Sequence, residues 1–490
     1  MKEALGMVKI LTKYKNQGIK VCYTPFLGIM GVIYSNDKKD ALFNIRKLLV
    51  DMGKTQLAVV NPPIGTDPSL IIKDPALIKE YLSKDNEVAE RTMPFDLPIK
   101  PGFFLKSGHK ILKDRAIFAN FFKEENLAKI TPGIEKFVIK KIEKIKGDLF
   151  PSGRNNNEFK KVELQAYIKP LFGELVNYIM FGNKSCPLID GKKMPEALQK
   201  LTEDEIFHIS LHPLNLLLFN LPSQYKLLPK SKEQAIKHKK ILDACNTMYK
   251  QRTRQRPEDR GCNMIDLMIE HNLICKQDET IDQSTIIGNL ILFQMAGMDT
   301  SRQVSISSLH YLSKHPEMAE ELRKNILAEL FDNGEKSVIA EYSGFDNSDY
   351  LNKFMLEALR IFGAVPLPIP RVAKKNFKLG KYRIYKGTEI IVSLTGPHYD
   401  PEIYPEPRKI KIDRFTKEKL REVKNGSYLP FSSGTRDCIG KNLAQIFVRS
   451  VLCHFLRVFD IAEDKDFVGR MAFEFSYGMK ECYVKLRLRE

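Results

Sequence analysis

The sequence predicts a mainly helical fold with small β-sheets. From about Lys106 to Phe331 apolar residues recur mostly at helical spacing. Lys378 to Val392 reads as two short strands around Lys386-Gly387, and Phe473 to Tyr477 with Tyr483 to Arg487 reads as a second strand pair turning at Gly478. No unit of roughly 20 to 50 residues repeats, which excludes solenoids and propellers.

Two helices organise the chain. The first begins near Asp282-Gln283-Ser284, where Asp282 offers an N-cap, and runs through Ile287, Ile291, Met295, Met298 and Val304 to about Ser313, before His315-Pro316. Its length and apolar character suit a helix that crosses a core. The second follows Cys438, with Leu443, Ile446, Phe447, Val451, Leu452 and Phe455 at helical spacing. Polar stretches such as Pro151 to Asn157 and Asp332 to Glu335 read as surface connections between helices.

A length of 490 residues allows several domains, but large cofactor enzymes often share one continuous core. The 43% hydrophobic and 28% charged residues exclude a disordered chain and a polytopic membrane protein. None of the eight cysteines forms a C-x-x-C pair, which suggests a reducing compartment. The 78 Lys and Arg against 60 Asp and Glu give +18, dispersed along the chain, which favours acidic partners or anionic membrane surfaces. Nucleic-acid binding is not expected, because zinc-finger spacing, a basic region with heptads and an aromatic RNA-recognition signature are all missing. Met1 to Gln17 alternates Lys with apolar residues, and the more apolar Val21 to Tyr34 is short and contains Pro25. Neither suits a signal peptide or a spanning helix, so no transmembrane anchor is expected in this sequence.

The chemistry concentrates in Phe431-Ser432-Ser433-Gly434-Thr435-Arg436-Asp437-Cys438-Ile439-Gly440. A thiolate used as a metal ligand is held deprotonated by backbone N–H groups at a helix N-terminus and by a nearby cation. Gly434 and Gly440 let the backbone approach a flat cofactor. Arg436 can meet a carboxylate of that cofactor with paired hydrogen bonds, and Phe431 can cover the sulfur.

This segment resembles the haem-ligand signature of the cytochrome P450 family, F-x-x-G-x-R-x-C-x-G, at every fixed position. Further motifs follow the family's order. Met295 to Thr300 resembles the A-G-x-D-T oxygen-binding segment, in which Ala296 and Gly297 make room for a diatomic ligand while Asp299 and Thr300 relay protons. Glu357-Ala358-Leu359-Arg360 resembles the family's E-x-x-R pair, closed by Arg414, with a structural role implied. Arg371 and His398 match positions near the haem propionates. Arg115 matches the Arg of the W-x-x-x-R helix, but Ile111 stands where Trp is usual and the chain has no Trp, so one propionate hydrogen bond lacks its usual donor. The resemblance covers about Tyr23 to Leu488 and implies one haem-thiolate domain over residues 1–490 with the cytochrome P450 fold, residues 1–20 being a remnant after a missing N-terminal anchor.

The family implies haem b with Cys438 as the iron ligand, and a monooxygenase that inserts one atom of O2 into a lipophilic substrate. Two electrons would come from an NADPH-dependent diflavin reductase, with cytochrome b5 as a further donor, docking on the basic face around Cys438 and Lys441. The chamber is expected to draw on Phe103, Phe104, Leu105, Ala296, Val365, Pro366, Leu367 and Tyr477. His212 to Pro222, apolar and followed by Lys226, Lys230 and Lys232, implies contact with a membrane surface, as in the endoplasmic reticulum. Two alternatives stay open: a haem-thiolate isomerase or dehydratase on the same fold, and a non-catalytic haem-binding protein.

Overall fold

The computed structural model describes residues 10–22, 57–60, 69–91, 109–151, 158–182, 186–204, 229–331, 344–345, 348–416, 418–419, 426–473 and 476–489. Three strands, β1 (Lys20–Cys22), β2 (Leu57–Val60) and β3 (Ser69–Ile72), precede α1 (Pro75–Val88) and β4 (Ala89–Arg91). Asp74 caps α1 by accepting the Leu77 N–H, and Pro75 starts its first turn. The helical body comprises α2 (His109–Ala119), α3 (Glu124–Leu149), α4 (Leu164–Phe181), α5 (Met194–Asp204), α6 (Pro229–Thr253), α7 (Met264–Ile274), α8 (Gln283–Lys314), α9 (Pro316–Leu330), α10 (Asp349–Ile361) and α11 (Lys441–Val458). Within it lie β5 (Lys160–Glu163), β6 (Leu188–Ile189) and β7 (Lys192–Lys193).

The expected central helix is α8. Asp282 accepts the Thr285 N–H at 2.9 Å, and the helix runs 32 residues, about 48 Å, to its C-cap at His315. It packs against α4, α6 and α11, and it is buried on nearly every face between Ile286 and Leu309. That all-round burial explains why its sequence shows length and caps more clearly than a single apolar stripe.

Beyond α10 come β8 (Arg371–Ala373), β9 (Phe377–Leu379), β10 (Tyr382–Ile384) and β11 (Glu389–Val392). A six-stranded sheet runs in the order β1-β2-β3-β11-β8-β4, and its core with α1 includes Leu70, Ile72, Ile78, Tyr81 and Ile390. Two expectations about strands change. Lys378 to Val392 holds three strands: β9 and β10 pair around Gly380, at φ 54°, and β11 departs to join β3 and β8. The buried run Ile390 to Val392 needs a place inside a sheet, which a lone hairpin does not offer. At the C-terminal end, β13 (Arg470–Phe473) pairs with β14 (Tyr477–Glu481), so Gly478 sits inside a strand instead of at the turn. Strand β15 (Tyr483–Leu488) pairs with β12 (Phe459–Glu463) and β5 instead. Among the described residues no helix is long and apolar enough to cross a membrane, and His212 to Pro222, with Lys226, lies outside those residues.

Candidate functional site

Cys438 lies between a 3-10 turn, Gly434–Arg436, and the N-cap of α11 at Gly440. Its N–H donates to the Phe431 carbonyl at 2.9 Å and closes the loop. Phe431 is half-buried and packs against the main helical core. The loop turns in the left-handed region at Ser432, φ 61°, and Gly434, φ 80°. A β-carbon at Gly434 would collide with the Leu82 carbonyl oxygen of α1, so that position requires glycine. Gly440 has φ −93° and a β-carbon there would meet Phe122 Cε1 at an ordinary 3.7 Å. The two glycines expected to play similar parts therefore differ: one fits against α1, and the other is free of that constraint.

The Cys438 side chain is solvent-accessible, yet burial raises its thiol above the ordinary range. Both hold for a side chain packed on most sides and open to solvent on one. The Gly440 N–H, Arg115 and Lys441 favour the thiolate and Asp437 opposes it; burial outweighs them, so a cation against the sulfur is what would stabilise the anion.

Four arginines gather beside this loop. Arg115, from α2, donates to the Asp437 carbonyl at 2.6 Å and to Asp437 Oδ1 at 3.0 Å. Arg371 pairs with Asp85 at 2.6 Å and stands opposite Arg91 in the β4–β8 ladder. Burial lowers Arg436 to about 10, with Arg115 and Arg371 adding to the effect. Burial also holds Arg91 well below its ordinary value, followed by repulsion from Arg436 and Arg371. Asp85 is paired with Arg371, and Asp437 is shared by Arg115 and Lys441, so cations outnumber carboxylates here, an excess that suits the propionates of a haem. The residues present thus fit the group. Arg91 was not foreseen from sequence, since only sheet register places it opposite Arg371.

On α8, Ala296, Gly297 and Thr300 are half-buried while their neighbours are buried. Leu292, one turn earlier, is buried but belongs to neither hydrophobic core, and Leu292, Ala296 and Thr300 form one stripe; helical spacing back from Ala296 could have found it. The Thr300 hydroxyl donates to the Ala296 carbonyl at 2.7 Å. Gly297 faces elsewhere: a β-carbon would meet Val176 of α4 at an ordinary 3.5 Å, so the packing of α8 on α4 does not require glycine there. Asp299 is buried, ion-paired with Arg302, and accepts the Ser476 N–H at 2.9 Å. The structure does not join Asp299 to Thr300.

Glu357 and Arg360 are fully buried on α10, with Arg360 Nε donating to Glu357 Oε1 at 2.6 Å. Arg414 Nε and the Lys411 N–H donate to Glu357 Oε2 at 3.2 and 2.9 Å. Arg360 also donates to the carbonyls of His398 and Pro407 at 2.8 and 2.6 Å. The expected triad is therefore assembled, and it braces the segment leading to the Cys438 loop. His398 belongs to this brace: its ring accepts the Leu429 N–H at 2.9 Å, its nearest cation is Arg360, and burial lowers it to about 3. Because Nε2 accepts, the neutral ring carries its proton on Nδ1, which is buried without a partner among the described residues and is the atom that would meet a haem propionate.

Of the expected chamber residues, Phe103, Phe104 and Leu105 lie outside the described residues. Tyr477 is buried, and its N–H donates to the Ala364 carbonyl at 2.8 Å, which brings β14 against the segment holding Val365, Pro366 and Leu367. Val365 is 40% exposed, Pro366 is buried and Leu367 half-buried.

The cytochrome P450 family model matches residues 25–481. The chain is 27% identical to a probable cytochrome P450 6a23 of Drosophila melanogaster, over 76% of this chain and 73% of that protein. It is 24% identical to cytochrome P450 3A13 of Mus musculus, over 82% and 78%. A 7-deoxyloganic acid hydroxylase of Catharanthus roseus is 25% identical over 83% and 77%. A match to a probable cytochrome P450 6d5 of Drosophila melanogaster, 30% identical, spans 36% of that protein. In fold, the chain resembles the crystal structure of a cytochrome P450DA haem domain, with a TM-score of 0.77, 16% identity and coverage of 96% of this chain and 98% of that one. A cysteine in a loop just ahead of α11, an excess of basic residues beside it and a family match over nearly the whole chain lead to one conclusion: the chain belongs to the cytochrome P450 family of haem-dependent monooxygenases.

Proposed function

We propose that the protein inserts one atom of O2 into a lipophilic substrate, using two electrons that reach haem b from NADPH through an external diflavin reductase, with cytochrome b5 as a further donor. The observation that carries the reading is the Cys438 loop beside an arginine cluster in which cations outnumber carboxylates, as a propionate site requires. The haem supplies oxygen activation, which an axial thiolate favours. Cys438 would hold the iron, and Arg91, Arg115, Arg371 and Arg436 would hold the propionates. Phe431 and Gly434 shape the ligand loop, and the Glu357, Arg360 and Arg414 brace fixes it. Thr300, on the stripe with Ala296, would hold a proton at its hydroxyl oxygen, moving it once the bond to the Ala296 carbonyl breaks.

Ala296, Pro366, Leu367 and Tyr477 would form part of an apolar chamber, which selects lipophilic compounds. Phe103 to Leu105 join that proposal from sequence alone. Apolar His212 to Pro222, flanked by lysines, would place the protein on the endoplasmic reticulum membrane surface.

The test is turnover under 18O2. The protein is combined with an NADPH-dependent diflavin reductase and lipophilic compounds chosen by a haem spin-state shift. Label in the product, with NADPH consumed, is the expected result. Product without label, formed without NADPH, would assign the isomerase or dehydratase reading instead.

A further inference from the structure

The β13–β14 hairpin is fastened to the chamber walls at consecutive residues. The Ser476 N–H donates to Asp299 Oδ2 at 2.9 Å, and the Ser476 hydroxyl donates to the same oxygen. Tyr477 follows, with its N–H on the Ala364 carbonyl. The other Asp299 oxygen is ion-paired with Arg302, whose Nη1 donates to Gln165 Oε1 of α4 at 2.8 Å. Gln165 Nε2 in turn donates to the Met479 carbonyl at 2.5 Å. The path leaves the hairpin at Ser476, crosses α8 and α4, and returns at Met479. Between the two ends lies Gly478, where a β-carbon would collide with the buried Gln303 side chain of α8.

Every side chain of this ring is at least nine-tenths buried. A buried ion pair is a poor source of net stability, because desolvation offsets its attraction, but it is a good source of fixed position. Its carboxylate comes from the residue next to Thr300, and its other end carries Tyr477, the hairpin's contact with the opposite wall. We infer that Ser476 is a positioning residue that sets substrate specificity: through Asp299 it holds the hairpin against α8 and so fixes how bulky a compound fits above Cys438. The inference rests on the haem-thiolate reading of the site, and it makes Asp299 the anchor of the hairpin in this conformation.

The test compares the haem-loaded protein with Ser476→Ala and Ser476→Thr, using imidazole and a bulky diaryl-substituted azole, each followed by its Soret shift. In Ser476→Ala the imidazole dissociation constant stays within about twofold while the bulky azole binds about fivefold tighter, the effect of releasing one buried hydrogen bond. Ser476→Thr keeps the hydroxyl and returns the wild-type ratio. Gln165→Leu cuts the same ring from α4 and shifts the ratio in the same direction, which keeps the test intact if Ser476→Ala folds poorly. An unchanged ratio, or parallel weakening of both ligands with a falling Tm, overturns the inference and leaves only a structural staple. Wild-type protein that takes up haem but shows no Soret shift with imidazole overturns the haem-thiolate reading itself.

Discussion

Arg91 and Arg371 stand across one ladder from each other, with the carboxylate of Asp85 acting on both and on Arg436, and further anions there would relieve the remaining repulsion. A charge-assisted hydrogen bond of this kind contributes about 1.5–3 kcal/mol, a factor of about tenfold or more. Arg91→Leu is therefore expected to hand its haem to apomyoglobin at least about tenfold faster than wild type. An unchanged transfer rate would leave Arg91 as a partner of Asp85 alone. Glycine positions divide just as sharply. Gly434→Ala combines left-handed backbone with a collision against Leu82 and should cost more than about 2 kcal/mol in urea denaturation, while Gly440→Ala should cost under about 1 kcal/mol.

At the scale of elements, the brace on α10 is the most testable unit. Glu357 gathers Arg360, Arg414 and the Lys411 N–H in full burial, so Glu357→Ala leaves two cations without their partner. A loss of about 3–5 kcal/mol is expected, read by urea denaturation. The i, i+3 spacing of Glu357 and Arg360 and the later Arg414 were legible in sequence. So was α8, because Asp282 caps it and His315-Pro316 ends it. The strands were less legible, since pairing partners were sought among sequence neighbours. β15 in fact lies against β5, more than 300 residues upstream, and β14 pairs with a strand that a turn at Gly478 had excluded. The same limit hid Arg91 and Ser476, whose meaning comes from register and from contact with α8 rather than from any local pattern.

At the scale of the molecule, three histidines among the described residues are held neutral. Burial lowers His398 to about 3, with Arg360 assisting, and lowers His238 and His310 to about 4. In the unfolded chain each takes a proton near 6.5, so below that pH the unfolded state binds more protons than the folded one. Stability is then fully present above pH ~6.5 and falls as pH drops toward 4, by up to about 1.4 kcal/mol per pH unit for each histidine. Urea midpoints between pH 7 and pH ~4.5, where most carboxylates are still ionised, check this. His398→Gln should flatten the slope, and an unchanged slope would mean that His398 accepts its proton in the folded state.

The central claim is that Cys438 is the axial ligand of a haem iron. It is tested most directly by the absorption spectrum of the reduced protein under carbon monoxide, recorded beside Cys438→Ser. A strongly red-shifted Soret band in the wild type that disappears in the variant is the predicted result. An unshifted band in haem-loaded wild-type protein would contradict the thiolate ligand and the monooxygenase chemistry that depends on it.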